Sequence, residues 1–298
     1  METDAVTAAP IQLIVPFEAG GGSDEAARTF ARHAAPHFGE RIEVVNRTGA
    51  SGAAGFRYGA SAPPDGRTLT LMVASLIAGP HGASTYGVSY RDFTPLCLLA
   101  TIPLMLCVRA DNVLRTFSQV LADAQARPGR LTLGTAGPGT FVDLSARALA
   151  RVAGATFTRK SYAGSAAQLR ALLAGELDIA QVSADEALPL AWAGDVRVLA
   201  VLGNTPSPAM PNVPTTADHG IDLNIGFFRG IGAPRDLPSP VLKALEHACA
   251  ATAAEPAYRQ HLLQQGATPH FLAGTAYRDW LDALDSAFAA AVEHTENA

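Results

Sequence analysis

The chain has 298 residues, of which 48% are hydrophobic and 16% are charged, and its formal net charge is −5 at pH 7. This composition indicates a globular protein with an ample core, organised as one large domain or two domains of ordinary size. An acidic balance without a run of Lys and Arg argues against nucleic acid and an anionic membrane surface as partners. No apolar segment reaches the ~18 residues of a membrane-spanning helix, so no direct membrane insertion is expected.

Apolar, strand-like segments alternate with helical patterns through most of the chain. IQLIVPF is a predicted buried strand, and in the next segment Ala27, Phe30, Ala31 and Ala34 share one helical face. Further strands are predicted at RIEVVN, RTLTLMVA, DFTPLCLLATIPLMLCVRA, RLTLGTA, FTRKSYA, IAQVSA and VRVLAVLG. Helices are predicted at SGAAGFRYGASA, TFSQVLADAQARPG, FVDLSARALARVAG and SAAQLRALLAGELD. This alternation predicts an α/β fold with a parallel-rich sheet and a ligand at the carboxyl ends of the strands.

The C-terminal part of the chain, from Ser239 onward, has a different pattern. Residues 239–266 and 275–297 are predicted to be helical, and the short segment ATPHFLA separates them. We expect this helical layer to pack back on the earlier α/β part. No low-complexity tract or flexible linker occurs, so two lobes would be joined by strands that cross between them.

Two glycine-rich turns stand where a predicted strand ends and a predicted helix begins. FEAGGGSD covers residues 17–24 and TAGPGT covers residues 135–140, and each is followed by a helix with the pattern A-R-x-x-A-R. Glycine lets a ligand oxygen approach the backbone N–H groups at the positive end of a helix. The P-loop pattern is absent, and Glu25 stands at the third glycine position of GxGxxG, so nucleotide binding is weakly supported. The turns predict two anion-binding loops that face each other across one cleft.

The carboxylates near these turns admit two interpretations. Ser23 or Asp24 can cap the first helix, and Thr140 can cap the second, with Asp143 at the spacing of a capping box. Contact between either aspartate and the ligand is the alternative.

Enzyme signatures are missing from the sequence. There is no GxSxG, HExxH or Cys/His pattern, and the surroundings of Cys97, Cys107 and Cys249 indicate buried free thiols. No pair of carboxylates has a spacing that indicates acid/base chemistry. We therefore expect neither an enzyme nor a bound metal or cofactor.

Several segments, in this order and spacing, resemble the periplasmic solute-binding proteins of tripartite tricarboxylate transporters, the Bug family. They are IVPFEAGGGSDEAAR, VVNRTGASGAAGFRYGASAPPDGRTLTL, YRDFTPL, ARPGRLTLGTAGPGT, SYAGSAAQLRALLAGELD, VRVLAVLG, MPNVPTTADHGIDL and GIGAPRDLPSPVLKAL. The resemblance implies a two-lobed Venus-flytrap fold, in which each lobe is a mostly parallel sheet flanked by helices and a carboxylated metabolite binds between them. Residues 1–107 plus 229–298 would form lobe 1, and residues 108–228 would form lobe 2.

The resemblance also implies where the ligand binds. In such proteins two loops hold a ligand carboxylate through backbone amides and waters, and further contacts follow later strands. The expected ligand-binding residues are Phe17, Gly20, Gly21, Gly22, Ser23, Asp24, Ser75, Gly137, Gly139, Thr140, Asp143, Arg147, Tyr162, Gly164, Ser165, Ser183 and Asp185.

The chain departs from the family pattern after the second turn. The family often has His-Leu followed by a Glu, whereas this chain has Asp143-Leu144 and Arg147. Asp143 and Arg147 lie at i and i+4, so they can pair with each other. Alternatively, they reach the ligand. Arg147 or Arg229 would then hold a second carboxylate, and Asp143 would hold an amine.

The resemblance implies a periplasmic receptor, made with a secretory signal that is removed or absent here, that passes a small carboxylate to integral-membrane transporter subunits. A monomer is the default expectation. The carboxylate would be a di- or tricarboxylate, an aromatic acid or an acidic amino acid. Two alternatives stay open at this point: a sensor of the same fold that feeds a signalling partner, and an α/β enzyme acting on a carboxylated substrate.

Overall fold

The structure is a computed structural model that describes residues 10–82 and 86–292. In chain order its elements are β1 (Ile11–Val15), α1 (Gly22–Phe38), β2 (Ile42–Asn46), α2 (Ala53–Ala60), β3 (Thr68–Met72), α3 (Ser75–Gly82), β4 (Phe93–Arg109), α4 (Phe117–Ala126), β5 (Thr132–Thr135), α5 (Phe141–Val152), β6 (Thr158–Ser161), α6 (Ser165–Leu173), β7 (Ala180–Ser183), α7 (Ala184–Ala193), β8 (Val196–Leu202), β9 (Gly226–Pro234), α8 (Ser239–Ala254), α9 (Pro256–Gln264), β10 (Thr268–Ala273) and α10 (Gly274–Val292). Short 3₁₀ turns occur at Ala50–Gly52, Tyr90–Asp92 and Ala217–His219.

The first sheet has the strand order β10-β4-β9-β3-β1-β2. Strand β1 lies between β2 and β3 and is parallel to both, and its consecutive residues Leu13, Ile14 and Val15 are fully buried. Burial on both faces is expected for a strand that helices cover on both sides. The predicted apolar stripe of α1, from Ala27 to Ala34, is buried as well.

β4 is a strand of 17 residues that changes partners along its length. From Phe93 to Pro103 it pairs with β9, and from Leu104 onward it pairs with β7 and β8. The latter strands form a second sheet, which β5 and β6 extend through a bridge between Leu133 and Ile179. β4 therefore leaves the first sheet and enters the second, and β9 returns to the first.

These pairings confirm the α/β class but correct the prediction of mostly parallel sheets. β1, β2 and β3 are parallel, and so are β5 and β6. β4, however, runs antiparallel to β7, β8, β9 and β10, and β3 is antiparallel to β9. Connectivity is the physical reason, because a strand that leaves a sheet and a strand that returns beside it must run in opposite directions.

The predicted lobes, residues 1–107 plus 229–298 and residues 108–228, stay a prediction. The change of sheet partners falls between Pro103 and Leu104, and the returning strand begins at Gly226. Residues 1–9, 83–85 and 293–298 of the predicted first lobe lie outside the described residues.

The C-terminal part packs back on the rest of the chain, as predicted, but it is not purely helical. The segment between the predicted helices is β10, which pairs antiparallel with the first half of β4. The first predicted helix divides into α8 and α9 because Pro256 cannot continue α8. α8 contacts α1 and β4, and α10 contacts α3, α5 and β4. The Phe288 ring of α10 stacks on that of Phe141, with centroids 5.5 Å apart.

Candidate functional site

A cavity of about 470 Å³ lies between elements of the two sheets. Within the described residues, the N-terminal ends of five helices reach its wall: α1, α3, α5, α6 and α7. In the same order, residues at these helix starts that line the cavity are Gly22, Ser75, Phe141, Ser165 and Asp185. Each helix N-terminus presents unpaired N–H groups and a partial positive charge, so the wall is suited to an anion.

The first glycine turn is shaped by Asp24, which is buried in the first turn of α1. Its carboxylate accepts hydrogen bonds from the Gly20 amide at 2.9 Å, from Arg28 Nε at 2.9 Å and from Asn46 Nδ2 at 3.0 Å. Burial works to raise the pKa of Asp24, but these hydrogen bonds outweigh it and hold that pKa below its ordinary value. Asp24 therefore holds the turn in place. The residue at the N-cap of α1 is Gly21, which has no side chain to occupy the helix amides.

The second glycine turn repeats this arrangement. The Asp143 carboxylate accepts a hydrogen bond from the Gly139 amide at 3.1 Å and lies 3.0 Å from Arg147 Nη2 and 3.2 Å from Arg159 Nε. Thr140 Oγ1 caps α5 by accepting from the Asp143 amide at 3.3 Å. Asp143 thus pairs with Arg147, which is one of the two alternatives that the sequence left open. In both turns, an aspartate binds the amide four residues before it and an arginine four residues after it.

The second turn also meets α3 at close range. A Cβ atom on Gly139 would stand 2.6 Å from the carbonyl oxygen of Gly82, the last residue of α3, and Gly139 has a φ of +71°. Both observations require glycine at position 139. The backbones of Gly82 and Gly139 are therefore in direct contact.

A cluster of charged side chains, Arg229, Asp185 and Glu186, forms another part of the wall. Arg229, on β9, is 7% exposed, and its Nη2 atom lies 3.9 Å from Asp185 Oδ2. Arg229 Nη1 donates to the carbonyl of Phe228 at 3.2 Å, whereas Arg229 Nε and Asp185 Oδ1 have no hydrogen-bond partner in the described part of the chain. Burial lowers the pKa of Arg229, against the opposing effect of Asp185 and Glu186.

Glu186 completes this group. Its Oε2 atom accepts a hydrogen bond from Ser183 Oγ at 2.8 Å. Burial raises the pKa of Glu186, and the Asp185 charge raises it further, while hydrogen bonds from Ser165 and Ser183 and the Arg229 charge lower it. The cavity therefore contains a partly buried pair of adjacent carboxylates beside one buried guanidinium.

The structure brings most of the expected ligand-binding residues together. Ten of them line the cavity: Phe17, Gly21, Gly22, Ser23, Ser75, Thr140, Gly164, Ser165, Ser183 and Asp185. Gly139 lines a neighbouring cavity of about 250 Å³ that shares Ser51, Ser75, Thr140 and Phe141 with the first.

Six expected residues lie outside both linings: Gly20, Asp24, Gly137, Asp143, Arg147 and Tyr162. The two aspartates and Arg147 are engaged within the turns and α5, and the Tyr162 ring packs partly buried against the core. Their direct contact with a ligand stays untested.

Other lining residues were not expected to contact the ligand. These are Glu18, Ser51, Val73, Ala136, Phe141, Val142, Ala163, Glu186 and Phe227, and Arg229 was considered only as one of two candidates for a second carboxylate. Phe141 and Glu186 could have been found, because each follows a predicted strand and stands in the first turn of a helix. Nothing local in the sequence marks Val73 or Phe227.

Residues 10–82 and 86–292 contain no cluster of three or more His, Cys, Asp or Glu that could hold a metal ion. Over the same ranges, no helix is long and apolar enough to cross a membrane. The three cysteines are buried and unpaired, as predicted.

The sequence matches the family model of the tripartite tricarboxylate transporter family receptor, TctC, over residues 26–280. The UPF0065 protein in the tcbD-tcbE intergenic region of Pseudomonas sp. (strain P51) is 33% identical over 246 residues, which are 81% of this chain and 73% of that protein. The periplasmic binding protein BugD has a TM-score of 0.84 at 26% identity, covering 96% of this chain and 97% of BugD. R. palustris Rpa4515, solved with adipate, has a TM-score of 0.86 at 27% identity, covering 96% of this chain and 97% of that protein.

These similarities agree with the geometry of the fold. The two sheets joined by β4 and β9 correspond to the two-lobed α/β fold of periplasmic binding proteins, with the cavity between the lobes. The chain belongs to the tripartite tricarboxylate transporter receptor family, a family of solute-binding receptors.

Proposed function

We propose that this protein is a periplasmic receptor that binds a small carboxylate and delivers it to the integral-membrane subunits of a tripartite tricarboxylate-type transporter. The observation that carries the proposal is the convergence of helix N-termini on one cavity. The amides of α1 and α6 carry no side-chain cap, so they are free to bind a ligand oxygen. The proposal assigns no catalytic step to the cavity.

The binding mechanism that this arrangement supports is closure of the two lobes around the ligand. The turn before α1 belongs to the first sheet, and the turn before α5 belongs to the part built on the second sheet. A carboxylate that binds amides of both turns makes contacts that an open form lacks, so it favours closure. β4 and β9 connect the lobes and are the expected hinge. A closed, ligand-bound form gives membrane subunits a shape to distinguish from the open one.

The relatives support the ligand class. Rpa4515 was solved with adipate, a dicarboxylate, and the alignment with it covers 96% of the present chain. The proposal for this chain is limited to the carboxylate group that backbone amides can hold. Recognition of the remainder of the ligand depends on the side chains of the cavity wall.

The test compares carboxylates with the corresponding amides, which have nearly the same shape but no charge. Thermal unfolding and calorimetry are measured with hexanoate, adipate and 2-aminohexanoate, and with the amide of each. We expect at least one acid to bind and to raise the melting temperature, and its amide to have no effect. A ligand at about 100 times its Kd stabilises a protein by about 2.7 kcal/mol.

Mass spectrometry of small molecules released from natively purified protein supplies the second measurement. We expect a bound carboxylic acid among them. Equal binding of acids and amides, or turnover of a bound acid by the pure protein, would refute the proposal. Delivery is tested with vesicles that contain the transporter's membrane subunits: uptake of the labelled acid should require the receptor.

A further inference from the structure

The charges of the cavity wall do not suit a ligand with two carboxylates. Among the described lining residues, Glu18, Asp185 and Glu186 carry carboxylates, and Arg229 carries the one guanidinium. Helix N-termini attract one carboxylate, but a second one would enter a region that is already rich in negative charge. Asp185 and Glu186 are adjacent in the first turn of α7, so both carboxyl groups stand at the same place in the wall.

The acids lie close to the predicted position of the ligand carboxylate. A Cβ atom on Gly22, at the start of α1, would stand 2.8 Å from Asp185 Oδ2 and 3.6 Å from Arg229 Nη2. A carboxylate bound at the amides of this helix end therefore lies beside both side chains. A positively charged group that neutralises Asp185 must then be attached next to the carboxylate and not at the far end of the ligand.

Two polar atoms without hydrogen-bond partners also indicate a ligand with a positive charge next to its carboxylate. Arg229 Nε is a hydrogen-bond donor without an acceptor, on a side chain that is more than nine-tenths buried and lines the cavity. Asp185 Oδ1 is an acceptor without a donor within the described residues. Buried polar atoms of this kind are normally hydrogen-bonded. A carboxylate and an adjacent ammonium group supply the missing acceptor and the missing donor together.

Glu186 lies ready as a second acceptor for the ammonium group. Ser183 fixes its position through a hydrogen bond of 2.8 Å. The rest of the wall includes the apolar side chains of Phe17, Val73, Phe141 and Phe227, which suit an uncharged ligand side chain.

We infer that the ligand is an α-amino carboxylate with an uncharged side chain, whose ammonium group is held by Asp185 and Glu186 and whose carboxylate is held by the α1 amides and Arg229. The inference rests on the proposed carboxylate-binding function and narrows its ligand class. It separates this chain from a relative solved with a dicarboxylate.

The experiment is calorimetry near neutral pH with four probes that differ in one group: 2-aminohexanoate, hexanoate, 6-aminohexanoate and adipate. We expect 2-aminohexanoate to bind at least about tenfold more tightly than each of the others, because they leave the partly buried acids without a donor or add a charge. The variants Asp185→Asn and Glu186→Gln should each reduce this preference about tenfold or more. Circular dichroism confirms that each variant is folded.

Glu25→Gln is the matched control. Glu25 is exposed in the first turn of α1, outside the cavity lining, and its substitution changes the net charge by the same amount. We expect the preference for 2-aminohexanoate to be unchanged in this variant. Equal loss in Glu25→Gln would show that general charge is responsible and would overturn the inference.

The outcomes separate the inference from the proposed function. Tightest binding of hexanoate, adipate or 6-aminohexanoate would overturn the α-amino assignment and leave carboxylate binding intact. No binding of any of the four acids, together with no acid released from the purified protein, would overturn both.

Discussion

The contact between Gly82 and Gly139 is the most direct test of how the site closes. Gly82 ends α3, and Gly139 stands in the turn before α5, so the contact joins elements of the two lobes. A Cβ atom on Gly82 would overlap the carbonyl oxygen of Gly139, whereas one on Gly139 would stand 2.6 Å from the carbonyl oxygen of Gly82. Ordinary van der Waals contact begins at 3.4 Å, so either alanine must push the backbones apart.

The backbone conformations separate two sources of cost. Gly137 has a φ of +101° and open space where a Cβ would stand, so Gly137→Ala introduces backbone strain alone, about 1–2 kcal/mol. Gly82 has no left-handed φ, so Gly82→Ala introduces the overlap alone, and overpacking of this kind costs about 1–3 kcal/mol. Gly139→Ala combines both costs.

We expect Gly82→Ala to weaken ligand binding by about 5- to 150-fold, the ratio that corresponds to about 1–3 kcal/mol, and to change the free energy of unfolding little. Gly137→Ala should lower the free energy of unfolding and keep more of the affinity. Calorimetry with 2-aminohexanoate or adipate, whichever binds the wild type more tightly, measures affinity, and urea unfolding measures stability. Small-angle scattering with ligand present should give a larger radius of gyration for Gly82→Ala.

Unchanged affinity of Gly82→Ala, together with an unchanged radius of gyration, would refute this reasoning. It would show that the ligand-bound form does not require the two glycines to touch. A loss of affinity in Gly137→Ala as large as that in Gly82→Ala would also contradict it, because strain within the turn would then account for both results.

Two other changes test the supports of the site. Asp143→Asn removes the charge that holds the Gly139 amide. This change should lower the free energy of unfolding, measured by urea unfolding, by about 1–3 kcal/mol. A stability equal to that of the wild type would contradict this role of Asp143. Hydrogen bonds from His33 and His37 hold the pKa of Glu255 below its ordinary value. The contribution of Glu255 to the free energy of unfolding is therefore present above about pH 4.5 and is lost as the pH falls through the lowered pKa. Glu255→Gln should flatten the fall in melting temperature over that range, and an unaltered pH profile would contradict the assignment.

Much of the fold follows from local sequence patterns. The apolar stripe of α1 and the continuous apolar segment of β1 predict a helix and a buried strand, and both form. The helix α3 was not predicted, because Gly79 and Pro80 are poor helix formers and its apolar residues surround it without a clear stripe. Tertiary burial of Leu76, Ile77 and Ala78 outweighs these unfavourable propensities. The strand directions depend on connections between sheets, which no local pattern reveals.

The candidate site divides in the same way. Glycine turns at helix starts can be recognised from spacing alone, and both turns line the cavities found in the structure. The contact of Arg229 with Asp185 could not be predicted, because Arg229 returns on β9 after the chain has completed the second sheet. Spacing left two interpretations of Asp24 and Asp143 open, and the structure shows both carboxylates bonded within the turns themselves.

Asp24 and Asp143 bind groups within the glycine turns, and other parts of the cavity wall must therefore discriminate between anions. Each aspartate accepts a hydrogen bond from an amide that precedes its helix. The two carboxylates therefore do not occupy the first amides of α1 and α5. Free amides and helix dipoles attract a carboxylate but read nothing beyond it. Selectivity must therefore come from the side chains that face the remainder of the ligand. The charged side chains of the cavity wall are Glu18, Asp185, Glu186 and Arg229, and their net negative charge favours a ligand that brings a positive charge with its carboxylate.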